Sequence, residues 1–172
     1  MRPTEVGAQR PSTDGAAEEA GIDVLIVEDN LYDVDLTTHA LKHHLLSDRI
    51  KAIHDGAEAL DFILCRGDYA RRDPLHQPKL ILLDLHLPKV GGLEILRQIR
   101  ADPRTVDIPV VILTHSKEDS NIVQGYKLGA NSFLVKRHDF DEFMKAVEAL
   151  GIYWLVMNRP PVKWVGEGAT AA

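Results

Sequence analysis

A five-stranded parallel sheet covered by helices on both faces, an α/β fold, is the class this sequence predicts, and three observations predict it. From Asp23 onward, short apolar runs alternate with longer stretches of helical period. The connections between them are short. Strict β-α alternation of this kind yields parallel strands, because each crossover helix returns the chain to the same end of the sheet. Finally, the run Leu80-Ile-Leu-Leu83 is continuously apolar, as a strand buried on both faces must be.

Val24-Leu-Ile-Val27 is the first predicted strand. A helix over 30–46 follows, with Leu31, Val34, Thr38, Leu41 and Leu45 on one face and Asn30 placed to cap it. A second strand over 50–54 leads into a second helix over 56–66 that carries Ala59, Leu60, Ile63 and Leu64, with Cys65 as a small core-side residue. The polar segment 67–78, with Pro74 and Pro78, is a loop into the third strand. Gly91-Gly92 opens a third helix bearing Leu93, Leu96 and Ile99, and Asp102-Pro103 ends it. Pro109 introduces the fourth strand, 110–113. A fourth helix over 118–128 is stopped by Gly129, and 131–135 forms the fifth strand. A last helix starts near Asp139 or Asp141 and turns Phe140, Phe143, Met144, Val147 and Leu150 toward the sheet.

The chain has 172 residues, 45% of them apolar, which suits one domain with tails. Residues 1–21 are rich in Gly, Ala, Pro, Ser, Thr and Glu without apolar period and are expected to be a disordered arm. Residues 22–150 make the domain, 151–164 a helical extension, and 165–172 a disordered end. The net charge of −6, with no block of Lys and Arg, offers no footprint for nucleic acid. The single cysteine excludes an internal disulfide. With no signal-peptide stretch and no run near the roughly 20 residues that span a bilayer, a cytoplasmic chain with no membrane association is expected.

Ligands of such sheets bind outside the carboxyl ends of the strands. That rule places Glu28, Asp29, Asp84, Thr114 and Lys136 on one rim. Adjacent carboxylates repel one another unless a cation neutralises them, and magnesium, which favours oxygen ligands, suits this set. A carboxylate attacks a phosphoryl donor to give an acyl phosphate, while a metal and an ammonium offset the charge on the phosphoryl oxygens. Of the histidines, His39 and His43 read as a solvated helix face, and His44, His54, His76 and His138 carry no assigned role.

Val27-Glu-Asp-Asn30, Leu82-Leu-Asp84-Leu-His-Leu-Pro88 with Gly91-Gly92, Leu113-Thr114 and Gly129-Ala-Asn-Ser-Phe133-Leu-Val-Lys136 together resemble the receiver domain of two-component response regulators. The resemblance implies a flavodoxin-like (CheY-like) sheet of order 2-1-3-4-5. It further implies that Asp84 accepts a phosphoryl group from a sensor histidine kinase. Magnesium, for which manganese or calcium can substitute, would be held by Glu28, Asp29, Asp84 and the backbone carbonyl of His86. Thr114 and Phe133 match the family's paired switch positions, and Lys136 its phosphoryl-binding lysine. The segment lengths, with no output domain following, look most like the single-domain regulators that partner bacterial phytochromes. Such a protein is a phosphoacceptor rather than an enzyme. The competing readings are a phosphorylation-independent interaction module on the same scaffold and an aspartate-nucleophile phosphohydrolase. His86 weakens the latter, because it stands where those enzymes commonly carry a second aspartate.

Two positions depart from the family pattern. Arg137 replaces the proline that usually follows the lysine; a cis bond to a non-proline residue costs about 2.5–4 kcal/mol, so a trans Lys136–Arg137 bond and a displaced loop are expected. His115 stands where a small residue usually leaves the site open, so its imidazole either shields the pocket or swings into solvent. Beyond the last helix, Ile152-Tyr-Trp-Leu-Val-Met157 is apolar around its whole circumference. A homodimer through the fourth helix, fifth strand, fifth helix and this extension is expected, with Tyr153 and Trp154 in the interface.

Overall fold

Five short strands, β1 (Val24–Val27), β2 (Ile50–Ile53), β3 (Leu80–Leu83), β4 (Val110–Thr114) and β5 (Ser132–Val135), pair in parallel in the order β2-β1-β3-β4-β5. The computed structural model describes residues 21–43, 49–115, 119–136 and 139–160. The arm 1–20, His44, Leu45, Arg137, His138 and the end beyond 160 therefore lie outside the described residues, as does the Lys136–Arg137 bond. The helices are α1 (Leu31–His43), α2 (Gly56–Ile63), α3 (Gly92–Ala101), α4 (Asp119–Lys127) and α5 (Phe140–Gly151). The α/β class and the strand order are those expected.

Successive strand side chains point to opposite faces, and this splits the core into two layers. Leu25, Val27, Ile81, Leu83, Val110 and Ile112 pack with residues of α2 and α3. Their neighbours Val24, Ile26, Leu80, Leu82, Val111 and Leu113 pack with residues of α1 and α5 on the opposite face. Full burial of one such aliphatic side chain contributes about 1.5–3 kcal/mol, so these two layers dominate stability and make the rim a rigid frame.

Helix α1 begins as expected, with Asn30 Oδ1 accepting the N–H groups of Tyr32 at 3.0 Å and Asp33 at 3.4 Å. Its buried arc is different: Asp33, Val34, Thr37, Ala40 and Leu41 are inside, whereas Leu31 is 65% exposed. The helix is rotated by less than one residue step, about 100°, from the face drawn through Leu31 and Thr38. The rotation carries Asp33 inward.

Helix α2 is capped by Asp55, whose carboxylate accepts from Ala57 N and Glu58 N, and it ends at Ile63 rather than at 66. Cys65 is therefore not helical; it occupies a turn with φ 54°, followed by Gly67 at φ 53°. The loop expected over 67–78 contains a 3-10 turn, Gly67–Tyr69, and Arg72 stacks over the Phe62 ring at 3.6 Å.

At the other end, Asp139 caps α5 through Glu142 N. Phe143, Met144 and Val147 are buried as expected, but Phe140, in the first turn, is exposed. The chain passes from α5 into a π-helical segment, Ile152–Met157. Trp154 and Leu155 fold back onto the layer shared by α1 and α5, so this segment is not unburied all round. Ile152, Tyr153, Val156 and Met157 remain exposed. Among the described residues, no helix is long and apolar enough to cross a membrane.

The start of α2 abuts the loop that follows β3. A Cβ added at Gly56 would lie 1.9 Å from the Val90 carbonyl oxygen, and Gly56 N donates to Pro88 O. Gly56→Ala is expected to lower the unfolding free energy by about 1–3 kcal/mol, because backbone must move to accept the methyl group. Urea denaturation measures this, and an unchanged midpoint would contradict so close an approach.

Candidate functional site

The strand ladder itself brings the rim residues together. Asp84 N donates to Val27 O and Lys136 N donates to Thr114 O, so the residue after β3 is pinned to β1 and the residue after β5 to β4. Glu28 N is held in the same way by Ile53 O. These backbone bonds fix where the side chains start.

At the centre stands Lys136, only 5% exposed. Its Nζ donates to Asp84 Oδ1 at 3.1 Å, to Asp33 Oδ2 at 3.0 Å and to Glu28 Oε2 in a close contact. The other Glu28 oxygen accepts Asn30 N, and the other Asp84 oxygen accepts His86 N at 2.5 Å. Both oxygens of Asp84 are thus held, and the carboxylate has a defined orientation. Gly92 keeps the backbone tight behind it, since a Cβ there would meet Asp84 O at 2.2 Å.

Burial raises the Glu28 pKa, and the hydrogen bond and charge of Lys136 offset part of that rise. For Lys136, burial acts to lower the pKa, but Glu28, Asp84 and Asp33 together outweigh it and leave the ammonium above its ordinary value. The lysine is therefore firmly charged at neutral pH.

Of the residues singled out in the sequence, Glu28, Asp84 and Lys136 meet directly. Thr114 is fully buried at the end of β4, and its carbonyl oxygen is the acceptor of the lysine's backbone N–H. Asp29 is exposed on the rim, and so is the His86 side chain. Phe133, half-buried on β5, lies 5.3 Å from the Tyr126 ring of α4. Its ring occupies the space above Gly125, where a Cβ would come within 2.5 Å. His115 is half outside and half inside: its side chain is 60% exposed, yet Nε2 lies 3.1 Å from Asp33 Oδ2. Tyr153 and Trp154 are remote from this cluster; they stack edge to face beside β5 and α5, their ring centroids 5.0 Å apart.

Asp33 was not among the expected site residues. The sequence carried one trace of it, an acidic residue on the helical arc shared with Val34, Thr37 and Leu41. His54 also gains a contact, its Nδ1 lying 2.8 Å from the Glu28 carbonyl oxygen.

The donors offered to a cation are hard oxygens, those of Glu28, Asp29 and Asp84, which fit magnesium, manganese or calcium. Among the described residues, no three acidic, imidazole or thiol side chains are gathered as a ready cage. The ammonium of Lys136 stands among the buried carboxylates instead, and Asp29 faces solvent.

A parallel sheet of this order with an acidic pocket and a lysine at its carboxyl rim is the architecture of a receiver-type signalling domain, and comparison with known proteins agrees. The chain matches the response regulator receiver domain over residues 24–148 and belongs to that family. Among similar curated proteins, the probable methanogenesis regulatory protein FilR2 of Methanothrix harundinacea is 38% identical over 80% of this chain and 86% of its own length. The response regulator Rcp1 of Synechocystis is 34% identical over 77% of this chain and 88% of its own. A solved structure of Rcp1 is a manganese-bound form, with TM-score 0.75 and 33% identity, covering 81% of this chain and 99% of that one. The bacteriophytochrome response regulator RtBRR is 45% identical, with TM-score 0.65, covering 82% of this chain and 84% of that one.

Removing the central charge tests the electrostatics. Lys136→Met would leave Glu28, Asp33 and Asp84 without their shared counter-ion, and breaking a buried ion pair in this way costs about 3–5 kcal/mol. Glu28, whose pKa burial raises and Lys136 holds down, escapes part of the cost in the variant by binding a proton, so stability is lost as pH increases through its raised folded value. Chemical denaturation is expected to show a large deficit at pH 8 that shrinks toward pH 5. A deficit independent of pH would refute this charge balance.

Proposed function

We propose that this protein is a response regulator that takes a phosphoryl group from the phosphohistidine of a sensor kinase onto Asp84. The observation that carries the reading is the bond from Lys136 Nζ to Asp84 Oδ1, beside Glu28, at the rim of a receiver fold. In the step, an Asp84 oxygen attacks phosphorus and the P–N bond breaks. Its electrons return to the imidazole ring, which takes up a proton, and Asp84 becomes an acyl phosphate. Lys136 is positioned to donate to a phosphoryl oxygen. Thr114 supplies a hydroxyl at the neighbouring strand end, and Phe133 is the aromatic partner that repacks when that strand end moves. Glu28, Asp29, Asp84 and the His86 carbonyl would hold magnesium, which supplies positive charge against the phosphoryl oxygens. The oxygen-only donor set supports this ligand assignment. No substrate is turned over apart from the protein's own phosphorylation and its slow reversal.

The similarity to Rcp1 and RtBRR supports a phytochrome-type kinase as the donor. The similarity to FilR2, a probable methanogenesis regulatory protein, supports a regulator role in general. A homodimer through α4, β5, α5 and the extension is supported by the exposure of Tyr153, Val156 and Met157 beside a groove formed with Phe133, Leu134 and Leu150. The outward residues would make the contact, and Trp154 would support them from beneath.

With magnesium and radiolabelled acetyl phosphate, the protein is expected to acquire acid-stable, base-labile label. Asp84→Ala should abolish it, and chelation by EDTA should reduce it by about tenfold or more, since metal and lysine share the charge stabilisation. Absence of label from small donors and histidine kinases alike would favour a phosphorylation-independent module. For the assembly, light scattering of Tyr153→Asp is expected to report a monomer at concentrations where the parent chain is dimeric. A monomeric parent chain would refute the dimer.

A further inference from the structure

Asp33 makes two contacts through one atom. Its Oδ2 lies 3.0 Å from Lys136 Nζ and 3.1 Å from His115 Nε2. Those partners follow β5 and β4 respectively, while Asp33 sits in the first turn of α1, after β1. In the sheet β3 lies between β1 and β4, so a bond from His115 to Asp33 bridges past the end of β3, where Asp84 stands. Asp33 is buried, and its N–H is tied to the Asn30 cap, so it is the fixed end of this bridge. His115 is the movable end: most of its side chain faces solvent, and it directly follows Thr114.

We propose that Asp33 is a positioning residue that latches His115 across the Asp84 pocket and ties that latch to Lys136. The inference rests on phosphorylation of Asp84. While the latch is closed, the imidazole restricts the approach of water to the acyl phosphate. In hydrolysis a water oxygen attacks phosphorus, the acyl C–O–P link breaks at phosphorus, and the Asp84 carboxylate is regenerated. Inorganic phosphate leaves with the oxygen and protons of that water. Because the same Asp33 oxygen serves both donors, withdrawal of Lys136 toward a phosphoryl group changes the hold on His115. A shift of Thr114 pulls directly on the same bond. The group that shields the pocket is thus coupled to the two groups proposed to contact the phosphoryl oxygens.

The test is a double-mutant cycle on the lifetime of label on the full chain, loaded with radiolabelled acetyl phosphate and magnesium and then freed of donor. His115→Ala is expected to shorten the lifetime about threefold or more in the parent chain, and by less than about 1.5-fold in Asp33→Ala, because neighbours that share an interaction are non-additive. Equal shortening in both backgrounds, or no shortening in the parent chain, overturns the proposal. A purely structural effect of Asp33 would change the lifetime without making the His115 effect depend on it. If Asp33→Ala does not fold, by circular dichroism, Asp33→Leu, which fills the buried space without a hydrogen-bond acceptor, takes its place in the same comparison. Failure of the parent chain to take label at all, or equal label on Asp84→Ala, defeats the phosphoacceptor reading itself, so the two failures are told apart before the cycle is run.

Discussion

A buried ammonium among three carboxylates is the interaction on which the functional end of this molecule depends. Bringing ions out of water costs several kcal/mol for each of them, and well-packed apolar residues would stabilise the same space better. The cluster is therefore poor economy for stability alone and suits chemistry that needs a positioned carboxylate and a charged donor. Lys136 holds together residues that arrive from two separate strand ends and from α1. Without it, Glu28, Asp33 and Asp84 would repel one another, and the rim would have to open or take up protons.

The sheet makes that arrangement inexpensive. Backbone bonds from Asp84 to Val27, from Lys136 to Thr114 and from Glu28 to Ile53 continue the parallel ladder just past the strand ends. The side chains therefore begin from positions already determined by pairing, and only their rotamers remain to be chosen. The two apolar layers hold the ladder in place, since every β1 and β3 residue is buried. Rigidity at the rim is thus inherited from packing well below it.

The less enclosed groups lie elsewhere. His115 follows β4 with most of its side chain in solvent, and Phe133 leans on Tyr126 of α4, where Gly125 leaves it room. The C-terminal extension divides its apolar residues between two tasks. Trp154 and Leu155 close the layer over α5, and Tyr153, Val156 and Met157 are left outside. A surface of that composition is unfavourable in water unless covered, and it borders the same β5 strand that carries Phe133.

Much of this was legible in the residues. Short continuous apolar runs and period-3.6 patterns depend on short-range order alone, so the five strands and five helices could be placed, and the rule that ligands bind at strand carboxyl ends put Glu28, Asp84, Thr114 and Lys136 on one rim. Errors fell where a boundary or a rotation is decided by contacts between elements. Helix α2 stopped short of Cys65, Phe140 stayed outside, and α1 turned Leu31 to solvent. The last of these mattered most, because the same rotation buries Asp33 against Lys136 and His115, residues more than eighty positions away in the chain. By itself the sequence determined which segments become strands and helices and which reactive groups end them, since these follow from short-range pattern. Only the tertiary structure decided which carboxylates share the one ammonium, because that choice is made by the angle at which a helix settles on a sheet.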